Sequence, residues 1–83
     1  MTTAHEHDAS LRFSYDTERR ARIVTEALAP EIDQIEDPRS AATVDRDGNT
    51  LEVQITAADL VALRAGVNSW TRLVEVAETV GLQ

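Results

Sequence analysis

The strongest constraint on the fold is the helical pattern that ends the chain, because its apolar surface is wider than one core contact requires. At about 100° per residue, one apolar stripe contains Leu60, Leu63, Val67, Trp70, Val74 and Ala77. A second stripe of small and apolar side chains contains Ala58, Ala62, Gly66, Ser69, Leu73, Val76 and Val80. Together they span roughly 200°, whereas a surface helix needs little more than about 100°. The sequence therefore predicts a helix with two contact surfaces.

The first half of the chain predicts one strand and one shorter helix. Leu11, Phe13 and Tyr15 alternate with polar residues, as in a half-buried strand over residues 11–16. Asp16 or Thr17 is then expected to cap a helix that runs from residue 18 to about residue 29. Pro30 should end or kink this helix, because proline removes a backbone donor. Residues 1–9 are polar and without periodicity, so we expect a disordered tail.

The second half predicts a hairpin and the long helix. Residues 40–45 and 50–55 alternate on either side of the turn signal Asp47-Gly48. Residues 56–59 resemble a capping box that opens the last helix, and Gly81 is expected to stop it. The order β-α-β-β-α predicts an α+β fold over residues 10–83, in which two helices pack on one face of a three-stranded antiparallel sheet.

Size and charge suggest a small domain that is stabilised by a partner and comes from an organism that grows at high salt. A chain of 83 residues buries only about 60–65% of its unfolded surface. It has 15 acidic residues against 8 basic ones, all arginine, and a net charge of -7. Concentrated salt screens the repulsion between such charges, so we predict a halophilic organism. The alternative, a genome of high GC content, would explain the preference for arginine but not the excess of acidic residues. No apolar run could span a membrane and no secretory signal is evident, which favours the cytoplasm.

The sequence holds no convincing catalytic, cofactor or metal site. Its two histidines, His5 and His7, lie in the predicted tail, where no rigid frame could hold a metal. The three glycines, Gly48, Gly66 and Gly81, are too scattered for a phosphate loop. There is no cysteine, and no serine or threonine of the folded region has a histidine base. We therefore expect a protein that is not an enzyme and that binds no cofactor or metal.

Five arginines on the helices are candidate RNA contacts. They are Arg19, Arg20 and Arg22 on the first helix and Arg64 and Arg72 on the last. Phosphate binding weakens steeply with salt, so an acidic chain in a salt-rich cell should bind RNA weakly by itself. The order of elements invites comparison with KH modules, but the GXXG loop of those modules is absent. The alternative is that these arginines are merely solvated.

One segment of the last helix resembles a known family. Residues 57–69 read Ala-Ala-Asp-Leu-Val-Ala-Leu-Arg-Ala-Gly-Val-Asn-Ser, which is similar to the signature of the small dimerising (Pcc) subunit of the KEOPS complex. The residues that match the family motif are Asp59, Leu63, Arg64, Ala65, Asn68 and Ser69. The segment from Ala27 to Glu31 and the pair Arg39-Ser40 also resemble the family. The resemblance covers nearly everything but the tail.

The resemblance implies a non-catalytic scaffold and dimerisation subunit in the synthesis of threonylcarbamoyl-adenosine next to the tRNA anticodon. Such subunits form homodimers, pack their helices against the catalytic threonylcarbamoyltransferase subunit, and help to hold tRNA within the assembled complex. ATP, metal and the threonylcarbamoyl donor belong to other proteins. The lysine-free acidic composition would fit a haloarchaeal member.

On this interpretation the second stripe of the last helix is partner-facing, together with one side of the first helix. The predicted partner-binding residues are Ile23, Ala27, Ala62, Gly66, Ser69, Leu73 and Val76. Arg64 and Asn68 form polar contacts either with a partner or with the chain's own loops. Asp59 is expected to be a helix cap. The alternatives are that the first helix covers the stripe, that the chain is a stand-alone RNA-binding domain, or that it is a structural dimer without a link to tRNA.

Overall fold

The chain folds as two helices on one face of an antiparallel sheet. The computed structural model describes residues 7–34 and 39–82, and the side chains of residues 7–29 and 39–82. Its elements are β1 (His7–Ser14), α1 (Glu18–Gln34), β2 (Ser40–Asp47), β3 (Thr50–Ala57) and α2 (Leu60–Gly81). The strands lie in the order β1-β3-β2, and both outer strands run antiparallel to β3. The predicted fold class is confirmed.

The sheet separates an apolar face from a polar one. Alternate residues of the central strand β3, from Leu51 to Ala57, are completely buried beneath the helices. The core that they form also contains Val24 and Leu28 of α1, and Trp70, Val74 and Ala77 of α2. The opposite face carries the polar residues of all three strands and has no helix over it within the described residues. We call it the helix-free face.

Short sequence motifs form the hairpin turn between β2 and β3 and the cap at the start of α1. Asp47 pairs with Thr50, which leaves a loop of two residues in which Gly48 has a φ of 63°; this is the pattern of a type II′ hairpin turn. The predicted hairpin is thus present. At the start of α1, the Thr17 hydroxyl accepts a hydrogen bond of 3.1 Å from the backbone N–H of Arg20. Of the two predicted caps, Thr17 is therefore the one that acts.

Helix α1 does not end at Pro30. It continues to Gln34, so the predicted end near residue 29 is wrong, while the alternative of a kink at Pro30 stays a prediction. A proline inside a helix costs about 3 kcal/mol, but α1 packs along α2 and β2. Tertiary packing of this kind regularly outweighs local preference.

Three other boundaries differ from the predictions. Strand β1 begins at His7, which pairs with Ala57, so residues 7–9 extend the sheet, while residues 1–6 of the predicted tail lie outside the described part. The cap of α2 is Asp59, whose carboxylate accepts a hydrogen bond of 2.7 Å from the N–H of Ala62. Thr56 stays in β3, so no capping box forms. Gly81 is still helical, and Leu82 is the C-cap.

Candidate partner-binding groove between the helices

Helix α2 is turned relative to the orientation predicted from its sequence. Its buried residues are Ala62, Trp70, Val74 and Ala77, and their mean direction lies about 45° from the centre of the predicted core stripe, toward the second stripe. Leu60, which was expected in the core, is 62% exposed. The helix therefore buries part of each predicted stripe against its own sheet.

Ala62 and Gly66 lie on the sheet side of α2 and not on a partner-facing side as predicted. Ala62 is 2% exposed. A Cβ atom added to Gly66 would lie 3.1 Å from Cγ2 of Ile55 in the central strand. Small side chains at these positions let the helix approach the sheet closely, so we leave both residues out of the candidate surface.

The two helices lie side by side. A Cβ atom at Gly81 would lie 2.9 Å from Cγ2 of Ile23, which places the end of α2 against the first half of α1. Near the same end of α2, the Glu78 carboxylate accepts a hydrogen bond of 2.6 Å from the Tyr15 hydroxyl, at the end of β1. Because α1 contacts β2 and α2 contacts β1 at the opposite edge of the sheet, one flank of α2 faces α1 and the other lies toward β1.

An apolar surface remains open between the helices. Val76 is 53% exposed and Val80 is 67% exposed. Both lie about 160° around α2 from Glu78, which contacts Tyr15 beside β1, and therefore on the flank toward α1. Ala27 and Ser69 are exposed as well, whereas Ile23 and Leu73 are half-buried. We call this surface the interhelical groove; its residues are Ile23, Ala27, Ser69, Leu73, Val76 and Val80. Five of them were predicted as partner-binding residues, and Val80 was placed in the second stripe without being chosen.

The five candidate RNA-contacting arginines are all on the helix surface. Arg19, Arg20, Arg22, Arg64 and Arg72 are exposed, and none forms an ion pair within residues 7–34 and 39–82. The sheet arginines differ. Arg46 contacts Glu18 at 3.1 Å and the Gly48 carbonyl at 2.9 Å, and Arg12 contacts Glu52 at 3.4 Å.

The family motif on α2 divides into inward and outward residues. Asp59 caps the helix, as predicted, and Leu63 packs against the core. Arg64, Ala65, Asn68 and Ser69 are exposed. Among the described residues, neither Arg64 nor Asn68 bonds to a loop, and both roles considered for them stay open.

A cavity of about 360 Å³ lies beside the β2–β3 hairpin and is lined by Arg12, Asp45, Arg46, Asp47, Thr50 and Glu52. These side chains are mixed in charge and include no thiol or imidazole. Among the described residues, no group of three His, Cys, Asp or Glu could hold a metal ion, and no helix is long and apolar enough to cross a membrane.

Comparisons with known proteins agree with the motif. The family model described as transcription factor Pcc1 matches residues 8–81. No curated protein sequence matches the chain. A solved structure, described as the crystal structure of the binary complex Gon7-Pcc1, superposes with a TM-score of 0.79 at 25% sequence identity, over 90% of this chain and 91% of the other. Because the family model spans almost the whole chain, this protein belongs to the Pcc1 family, the family that its last helix resembles.

Proposed function

We propose that this protein is a non-catalytic scaffold subunit of the KEOPS complex and that its interhelical groove binds the threonylcarbamoyltransferase subunit. The observation that carries the proposal is the exposure of Val76 and Val80 beside Ile23 and Ala27. An isolated domain gains nothing from apolar residues placed together on an open surface, but a partner that covers them does. Membership of the Pcc1 family supports the same role.

The proposal includes a homodimer and tRNA. Strands β1 and β2 each have an edge that no other described strand pairs with, and such edges are common routes of association. The solved relative is itself in a binary complex with a second protein, Gon7. tRNA would meet the exposed arginines of the helices within the assembled, cytoplasmic complex, while the reaction and its donor belong to other subunits.

The first experiment measures assembly with the catalytic subunit. The chain is produced together with the threonylcarbamoyltransferase subunit of the same organism, and the complex is isolated by size exclusion with light scattering. We expect one complex whose mass includes both subunits and two copies of this 9.1 kDa chain. Recovery of the two proteins as separate species would contradict the proposal.

A matched pair of variants tests the groove itself. Val76→Asp places a charge in the groove and should weaken binding by about 100-fold, as expected for a residue at the centre of an interface. Val61→Asp makes the same change at another exposed valine of α2, which is 71% exposed and lies outside the groove. It should change affinity by less than about threefold. Equal losses in both variants would show that the groove is not the binding surface.

A stand-alone RNA-binding domain is the second candidate, and the five unpaired helix arginines favour it. It predicts that the isolated chain binds tRNA tightly at low salt and loses affinity steeply as salt rises. The scaffold proposal predicts weak binding by the isolated chain and stronger binding by the assembled complex. Titration of labelled tRNA with each, at two salt concentrations, separates the two.

A further inference from the structure

We propose that the interhelical groove accepts a partner helix whose apolar stripe is bordered by aspartate or glutamate, and that Arg20 and Arg72 contact those carboxylates. This inference rests on the proposed function of the groove. It adds the chemistry of the partner surface and separates the arginines at the border of the groove from Arg22 and Arg64.

The positions of the arginines around each helix show which of them border the groove. Arg20 lies about 20° from Ala27 and about 60° from Ile23 around α1, and Arg72 lies about 40° from Val76 around α2. Both therefore border the groove. Arg22 and Arg64 lie about 120–140° from the groove residues Ala27 and Val76 of their own helices, and they face the outer flanks. Arg19 lies about 40° from Ile23, so at least one arginine from each helix borders the groove.

The lack of ion pairs is the second step. Among the described side chains, neither Arg20 nor Arg72 has an ion-pair partner, whereas Arg12 and Arg46 of the sheet each have one. A partner that covers the apolar groove also removes water from the arginines at its border. A carboxylate opposite each arginine compensates for that loss, and it also speeds association and fixes the orientation of the partner.

The lining of the groove favours a protein helix over RNA. Ile23, Ala27, Leu73, Val76 and Val80 supply aliphatic and small side chains, which pack well against a helix. RNA recognition by single strands relies on aromatic stacking, but Trp70 is 3% exposed and lies in the core. The only other described aromatic residues, Phe13 and Tyr15, are half-buried against the same core.

The absence of lysine from the chain allows a direct experiment. Arg20→Lys and Arg72→Lys each introduce a single lysine side chain at the groove border, and Arg22→Lys and Arg64→Lys do the same on the outer flank of each helix. Each variant is mixed with the threonylcarbamoyltransferase subunit of the same organism and treated with a carbodiimide, which joins an amine to a carboxylate in contact with it. Mass spectrometry identifies the linked residues.

We expect linkage of Lys side chains at positions 20 and 72 to aspartate or glutamate of the partner, and little linkage at positions 22 and 64. In parallel, Arg20→Glu and Arg72→Glu should each weaken binding about tenfold, against less than twofold for Arg22→Glu and Arg64→Glu. If the wild-type chain binds but linkage occurs only at the flank positions, or at none, the inference fails while the proposed function stands. If Arg20→Glu and Arg72→Glu abolish tRNA binding and leave partner binding unchanged, these arginines serve RNA, which also overturns it. A wild-type chain that does not bind the catalytic subunit contradicts both.

Discussion

The outer surface of the helices and the helix-free face of the sheet differ in how many of their polar side chains are paired within the chain. On the helix-free face, Ser10 donates a hydrogen bond of 2.6 Å to Gln54, Ser14 lies 3.4 Å from Thr50, and Arg12 pairs with Glu52. Each is a contact between neighbouring strands. On the helices, five exposed arginines lack ion pairs among the described residues, and apolar side chains lie open between them.

On the helix-free face, polar side chains find partners within the chain, whereas among the described residues of the helices the arginines and the apolar side chains do not. The helix-free face has one arginine, Arg12, against the four acids Asp8, Asp45, Asp47 and Glu52, a composition that stays hydrated. The helices have five arginines against the four acids Glu18, Glu26, Glu75 and Glu78 over the side chains described. Over the described side chains of the helices, basic and acidic groups are thus nearly balanced. A chain that is acidic as a whole can still offer an apolar, arginine-bordered groove.

The largest expected effect tests which side of α2 faces inward. Gly66→Leu should lower the free energy of unfolding by about 3 kcal/mol, because even a Cβ atom there lies 3.1 Å from Ile55 and a larger side chain must displace the central strand. Ala65→Leu, the same change at the exposed neighbour, should alter it by less than about 0.5 kcal/mol. Urea unfolding followed by fluorescence of the single tryptophan measures both. Equal stability of the two variants would contradict the orientation of α2.

An intermediate effect tests the contact that joins α2 to the sheet. Burial and the hydrogen bond to Glu78 raise the pKa of Tyr15 above its ordinary value of 10.0. The unfolded chain therefore releases this proton near pH 10 while the folded chain keeps it, so the free energy of unfolding should fall as the pH rises above 10. Because the hydroxyl is partly exposed to solvent, the fall should be smaller than the limit of about 1.4 kcal/mol per pH unit.

The composition of the chain allows the alkaline fall in stability to be assigned to Tyr15. The chain has one tyrosine, no lysine and no cysteine, so no other side chain titrates near pH 10. Tyr15→Phe should lose about 1 kcal/mol at neutral pH and should lack the fall at alkaline pH. Urea titrations between pH 8 and pH 11 compare the two proteins, and a fall of the same steepness in Tyr15→Phe would assign it to another cause.

The smallest effect is expected on the helix-free face. Arg12→Ala removes an exposed ion pair of 3.4 Å, in which the arginine side chain is 73% exposed. Exposed pairs of this kind contribute between about 0 and 1 kcal/mol, so stability should change by less than about 0.5 kcal/mol and affinity for the catalytic subunit by less than twofold. A large loss of affinity would mean that the helix-free face takes part in binding the catalytic subunit.

Local patterns predicted most of the fold. The two-residue alternation in β1 and β3, the turn at Gly48 and the cap at Asp59 depend on neighbours in the sequence, and the structure contains all of them. Local preference failed at Pro30, past which α1 continues to Gln34. The prediction of a salt-rich habitat rests on composition and stays a prediction.

The candidate site was only partly predictable, and one residue shows why. The spacing along α2 placed Gly66 in the same small-residue stripe as Ser69 and Val76, and nothing in the sequence separates the three. Their different positions depend on how far α2 turns when it packs between Ile55 of the sheet and Ile23 of α1.

By itself, the sequence determined that α2 has more apolar surface than one contact can bury, because that count needs only the helical repeat. It also determined the order of elements and most of the residues of the groove. Only the tertiary structure decided that Ala62 and Gly66 face the sheet while Val76 and Val80 remain exposed. The rotation of a helix about its axis is decided by the fit of side chains from distant segments, which no local repeat records.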